Sequence, residues 1–199
     1  DATPYNVQFI GSRPVFIDVL SFARHREGEP WAGYNQFCKM LLYPLMLWDW
    51  YKLFGYSDLS ARLLSALIGI LSVPALYLLG RRLFGEQVGL VSAWLLAVNY
   101  LSIYYSQEVR AYALLLFLTC VAHLCFWNMM IERSRRSAIW YGIAAAALSH
   151  THNYGALIVA SHLIAVALWS REARSLTSWR LGFGLCALLY APWLPFLWS

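Results

Sequence analysis

Between residues 61 and 198 the chain returns repeatedly to apolar runs that are too long and too uniform to lie against water. Six can be drawn, at 61–79, 88–105, 111–131, 138–149, 154–169 and 181–198. A helix rises ~1.5 Å per residue and a bilayer's hydrocarbon core is ~30 Å thick, so about 20 such residues cross it. The fourth run is short, and Ser137 with residues 150–153 are expected to serve as its interfacial ends. The runs are apolar all round, not along one stripe, as in helices enclosed by lipid or by each other. Composition agrees, with 60% hydrophobic and 13% charged residues among 199, whereas soluble domains are about a quarter charged. A single soluble core of this length could not hide so much apolar surface. The expected fold class is therefore all-α, a polytopic transmembrane helix bundle of about six spans with a short N-terminal extramembrane segment.

Orientation follows from the arginines. Arg81 and Arg82 follow the first run, Arg133, Arg135 and Arg136 the third, and Arg171, Arg174 and Arg180 the fifth, while the alternate connections hold only Arg110. Eight against one places the Arg-rich connections in the cytoplasm by the positive-inside rule. The formal net charge of +5 does not indicate a nucleic-acid partner, because these basic residues punctuate apolar runs and form no patch with interleaved aromatics. Cys38, Cys120, Cys125 and Cys186 show no CxxC or metal-ligand spacing and read as small packing residues.

The same asymmetry brings two distant connections to the outer face. SQEVRAY and SHTHNYG place Gln107, Glu108, Arg110, Tyr112, His150, His152 and Tyr154 on one side of the membrane. Arg110 can hold a phosphate through its guanidinium fork, and Glu108 can hold a cation or orient a base. The bland alternative is a pair of solvated loop charges capping two helices. His150 and His152 are two residues apart, ~200° around a helix, so they share no helix face but in a loop both could reach one ligand. Interfacial hydrogen bonding, contact with phosphate or sugar, and metal binding all stay open for them. His123 and His162 lie inside runs and read as helix-to-helix hydrogen-bonding residues.

Other features are architectural. Trp48, Trp50, Tyr51 and Tyr56 form an aromatic belt, Ser57 or Asp58 caps the first span, and Arg62 snorkels to the headgroups. Gly80 and Gly85 bracket RRLF as a turn, and APWLP at 191–195 ends or kinks the last run. Upstream, VQFIG and PVFIDVL flank the turn signal GSRP and are expected to pair as a short β-hairpin, with 38–50 forming a helix that leads into the first span.

In order and spacing, LFG, SDLSARLLSA, YLLGRRLFG and YYSQEVRAYALL make a specific pattern. Over about residues 43–198 the chain resembles the GT-C glycosyltransferases, in their dolichyl-phosphate-mannose-protein mannosyltransferase-like branch. The resemblance implies an enzyme that moves a sugar from a polyprenyl-phosphate donor to an acceptor on the outer face of the plasma (inner) membrane. It implies membrane lipid as a second partner, and Gln107, Glu108, Arg110 and Tyr112 would line the site near the donor phosphate, with His150 and His152 close by. The family's usual catalytic acid sits in a first external loop that has no recognisable counterpart here, so the catalytic residue is unassigned. The cofactor is likewise unassigned, with a divalent metal left open and no metal ligand identified.

Residues 1–47 follow another pattern, YNVQF-x-G-x-RPVFID-x-x-SF then GEPW-x-GY-x-QFC, and resemble class I SAM-dependent methyltransferase-like proteins. They carry no Gly-rich cofactor loop and are too short for a nucleotide-binding fold. The expected division is therefore 1–47, an extramembrane segment of different origin, and 48–199, an incomplete multi-pass core, with the join near 41–48. Asp18, Glu27 and Glu29 fall in the first part and are only substitute candidates for a base. The competing function is a non-catalytic polytopic protein, a transporter or lipid-binding subunit, in which broken helices would place ionisable groups at mid-membrane.

Overall fold

The computed structural model describes the backbone of residues 7–10 and 13–16, and residues 42–168 and 177–193. Packing divides the chain into two units, 40–192 and 1–39 with 193–199.

In the smaller unit, β1 (Val7–Ile10) pairs antiparallel with β2 (Arg13–Phe16), Val7 opposite Phe16 and Ile10 opposite Arg13. This is the hairpin expected around GSRP. Pro14 stands opposite Phe9, one pair in from the turn. An antiparallel ladder alternates hydrogen-bonded and non-bonded pairs, so a residue without an N–H fits there. Asp18, Glu27 and Glu29 lie outside the described residues.

Among the described residues of the larger unit the regular elements are all helices, joined by short connections. Its helices are α1 (Leu42–Phe54), α2 (Asp58–Phe84), α3 (Glu86–Ala97), α4 (Tyr100–Gln107), α5 (Tyr112–Glu132), α6 (Arg135–Thr151), α7 (Asn153–Leu168) and α8 (Thr177–Tyr190), followed by a 3-10 turn over Ala191–Trp193. α2 packs against α1, α3, α4 and α5, while α6 packs against α5, α7 and α8. Ser57 is the N-cap of α2, its hydroxyl accepting from the Ser60 N–H at 3.0 Å. Ser134 caps α6 in the same way, at 3.1 Å from the Ser137 N–H.

Apolar and polar side chains are distributed as lipid solvent demands. Ile70 and Trp94 are each 64% exposed on the outside, whereas Ser65, Ser72 and Thr151 are fully buried. The Ser72 and Thr151 hydroxyls donate to carbonyls one turn back, at Ile68 and Ala147, which satisfies them without water. Among the described residues, α2 and α5 are each long and apolar enough to cross a membrane, and α3 with α4 qualifies as a bent pair. α7 is a shorter apolar helix of 16 residues. The six runs thus become a transmembrane bundle, in which length and composition support two or three full spans among the described residues.

Two expectations need correcting. The run 88–105 is not one straight span: it bends by 57° where α3 meets α4. Asn99 adopts an extended conformation and its Oδ1 accepts from the Ser102 N–H at 3.0 Å, so a new helix starts there. RRLF is not a turn bracketed by two glycines either, since α2 continues to Phe84 and turns only at Gly85, with φ +97°. Gly80 instead admits α3, for a Cβ added to it would stand 3.0 Å from Gly89 Cα.

A second close approach joins α6 to α8. A Cβ on Gly182 would meet Met129 Sδ at 2.7 Å and Tyr141 Cδ1 at 2.9 Å, both within the core formed by α5 to α8. Overpacking of this kind costs ~1–3 kcal/mol. Gly182→Val is therefore expected to lower the thermal midpoint of the detergent-solubilised protein. Gly184→Val, with nothing within 4 Å of its added Cβ, serves as the control and should leave the midpoint near that of the parent.

Candidate functional site

The last carbonyls of a helix have no partner within it. At the end of α4, the Gln107 carbonyl accepts from Arg62 Nη1 at 3.1 Å, and Arg62 Nε lies 2.8 Å from Asp58 Oδ2 on the first turn of α2. The start of α2 is thereby tied to the junction between α4 and α5. Further along, α2 comes so near α4 that a Cβ on Gly69 would sit 2.6 Å from Ser106 Cβ. The junction is held from below as well, since Val109 and Ala111 pack in a cluster with Tyr43, Leu64, Ile68 and Leu114. α1 joins that cluster and is pinned by Trp50, whose Nε1–H donates to the Ser60 carbonyl at 2.9 Å.

Four residues, 108–111, span the junction. The Arg110 N–H donates to the Glu108 carbonyl at 2.8 Å, closing a tight turn. The two side chains form an ion pair, Arg110 Nε to Glu108 Oε2 at 3.9 Å, and are 32% and 24% exposed. Glu108 also acts electrostatically on Arg62. Two guanidiniums, Arg62 and Arg110, thus stand with two carboxylates, Asp58 and Glu108, at one end of the bundle. Arg62 was expected only to reach for headgroups. Its place in the site depends on the tertiary contact with Gln107, and the sequence signal for it was the arginine inside SDLSARLLSA.

Aromatic rings continue from this cluster across to α7. Tyr105 and Tyr112 have centroids 4.7 Å apart, Tyr112 and His152 6.0 Å, and His152 and Tyr154 4.7 Å. His152 is the lone residue between α6 and α7. Its Nδ1 accepts the Tyr154 N–H at 3.2 Å, so in the neutral ring the proton sits on Nε2 and that nitrogen is a donor. Burial pulls the His152 imidazole below its ordinary value, favouring that neutral form.

His150 looks elsewhere. It lies in the last turn of α6, its Nε2–H donates to the Leu189 carbonyl at 3.3 Å, and its ring is 5.0 Å from that of Tyr190, both on α8. The structure therefore brings Gln107, Glu108, Arg110, Tyr112 and His152 into one neighbourhood, adds Asp58 and Arg62, and directs His150 to α8. His162 is buried, with Nδ1 3.2 Å from the Tyr141 hydroxyl of α6, while His123 Nδ1–H donates to Thr119 on its own helix. Among the described residues no group of three or more His, Cys, Asp or Glu side chains is placed to hold a metal ion.

Comparison with known proteins adds two matches. The family described as Dolichyl-phosphate-mannose-protein mannosyltransferase matches residues 39–198, which takes in every helix above and the whole junction. A 47-residue stretch, 24% of the chain, is 60% identical to Nodulation protein NoeA of Rhizobium meliloti (strain 1021), and the chain spans about 10% of that relative's length. Neither match names a methyltransferase. No solved structure matches.

Proposed function

Because this chain belongs to the dolichyl-phosphate-mannose-protein mannosyltransferase family, whose members are membrane glycosyltransferases of the GT-C type, we propose that it is the core of an enzyme moving a sugar from a polyprenyl-phosphate donor to an acceptor hydroxyl on the outer face of the plasma (inner) membrane. One observation supports this above the others: the Glu108–Arg110 pair, with Arg62 drawn in by Gln107, stands at the junction where α5, a helix long and apolar enough to cross a membrane, begins. A lipid-linked donor puts its tail between helices and its phosphate at that level.

In transfer the acceptor oxygen forms a bond to the sugar's anomeric carbon and gives up its proton, while the bond from that carbon to the phosphate oxygen breaks. The leaving polyprenyl phosphate gains negative charge. Arg110 is suited to receive it, because a guanidinium binds phosphate oxygens through two parallel N–H groups. Preorganised positive charge aimed at a leaving group lowers the barrier directly. Glu108, 3.9 Å from Arg110 Nε, holds the guanidinium in place for the phosphate. His152, with its proton on Nε2, serves as a hydrogen-bond donor and not as the base. Tyr105 and Tyr112 offer ring faces and hydroxyl edges to a sugar. The base that takes the acceptor proton is unassigned.

Residues 1–47 we take to have a different origin from this core, a reading supported by a family match that starts only at residue 39.

Membrane vesicles test the assignment. With a single cysteine at position 107 on a cysteine-free background, an impermeant reagent is expected to label right-side-out vesicles only. Given polyprenyl-phosphate mannose and a hydroxyl acceptor, those vesicles are also expected to form mannosylated acceptor and release polyprenyl phosphate. Labelling from the cytoplasmic side would overturn the topology, and intact donor after incubation of a full-length parent would overturn the reaction.

A further inference from the structure

At the far end of the same helices a second polar recess opens that sugar transfer does not use. One cavity of about 470 Å³ is lined by Leu78, Arg81 and Arg82, a neighbouring one of about 320 Å³ by Arg136 and Trp140, and both by Asn128 and Glu132. The shared residues make them two halves of one recess on α2, α5 and α6. Arg82 forms its floor, with Nε donating to Asn128 Oδ1 at 3.1 Å and Nη2 lying 3.7 Å from Glu132 Oε1. Three guanidiniums face one carboxylate, so the lining carries 3 − 1 = +2. Leu78 supplies an apolar wall, and Trp140, 56% exposed, stands where interfacial tryptophans sit.

The recess and the candidate active site lie about one membrane thickness apart. Tyr112 to Asn128 is 16 residues along α5, or ~24 Å, and Arg62 to Arg82 is 20 residues along α2, or ~30 Å. That separation matches the hydrocarbon core, so the recess lies at the headgroup level of the other leaflet. A cationic floor under an apolar wall, open at helix ends, complements a phosphate carrying acyl chains, and basic pockets between spans on the cytoplasmic side take anionic headgroups. A free phosphate would leave the apolar wall bare.

We infer that this recess binds the phosphate headgroup of an anionic phospholipid in the leaflet opposite the candidate active site, joining α2, α5 and α6. The geometry stands without the proposed reaction, and only the name of the leaflet, cytoplasmic, rests on the orientation above.

The test is native mass spectrometry of the full chain in detergent, titrated separately with phosphatidylglycerol, phosphatidylcholine and inorganic phosphate. Phosphatidylglycerol adducts are expected to exceed phosphatidylcholine adducts at least fivefold. Arg81→Gln/Arg136→Gln, which leaves the Arg82 contacts in place, is expected to reduce them about tenfold, while Arg110→Gln at the other end leaves them unchanged. Should the double variant fail to run as a single species on size exclusion, Arg81→Gln and Arg136→Gln alone carry the test, with about threefold expected from each. Equal binding of the two lipids, full binding by the charge variants, or displacement of phosphatidylglycerol by millimolar inorganic phosphate would each overturn the inference. An Arg110→Gln variant that loses transfer yet keeps its phosphatidylglycerol adducts separates this site from the proposed active site.

Discussion

Arg110→Ala, in a full-length parent carrying this core, is expected to lower sugar transfer ~10²- to 10³-fold while the protein still inserts and runs as a single species. The size of the loss follows from the role: removing one preorganised electrostatic contact to a charge that develops in the transition state costs about that much. The packing beneath the junction does not depend on the guanidinium, since Val109, Ala111 and Leu114 hold it to Tyr43 and Ile68. Arg110→Lys should recover part of the rate, because an ammonium supplies charge without the two-point fork. Glu108→Gln should also reduce transfer strongly, by freeing Arg110 from its 3.9 Å partner. Unchanged kcat/KM in both Arg110→Ala and Glu108→Gln would return the pair to solvated helix-end charges.

The helices were legible because apolar runs of this length admit only one backbone solution in lipid. Their breaks were harder to see. Asn99 ends α3 and starts α4 by capping the Ser102 N–H, yet it sits among apolar residues in VNYLS, where hydropathy averages over it. The hairpin could be read from its turn chemistry, but not its register, because Arg13 and Pro14 of the expected GSRP turn already pair with Ile10 and Phe9. For the site, the sequence grouped residues that the structure places at one end of the bundle, but it did not give their partners. Arg62 is 45 residues from Gln107, a contact that no local pattern encodes. His150 and His152 appeared together as a loop pair, but α6 runs to Thr151 and α7 begins at Asn153. With one residue between two helices, the two imidazoles must diverge, one to α8 and the other to Tyr112.

That divergence makes His152 the more informative histidine. His152→Ala is expected to lower transfer ~10²-fold at neutral pH if its Nε2–H bonds the donor's phosphate or sugar, since loss of a positioned donor costs on that order. His150→Ala, which loses contacts to Leu189 and Tyr190, should act on stability and leave kcat/KM nearly unchanged. Acid offers an independent check. Burial depresses the folded pKa of His152 below the ordinary 6.5, so as pH falls through that value the unfolded chain takes up a proton before the folded one does. Stability contributed by the neutral ring is thus present above pH ~6.5 and is lost as pH falls toward the depressed value. Protonation also puts hydrogen on Nδ1, where it meets the Tyr154 N–H 3.2 Å away instead of accepting from it. The α6–α7 connection should therefore loosen in acid, read as a lower protection factor at the Tyr154 amide (its exchange relative to the intrinsic rate at the same pH) below neutral pH, and His152→Gln should abolish that pH dependence. A Tyr154 protection factor that is the same at pH 5 and pH 7.5 in the parent would show that Nδ1 does not hold this turn.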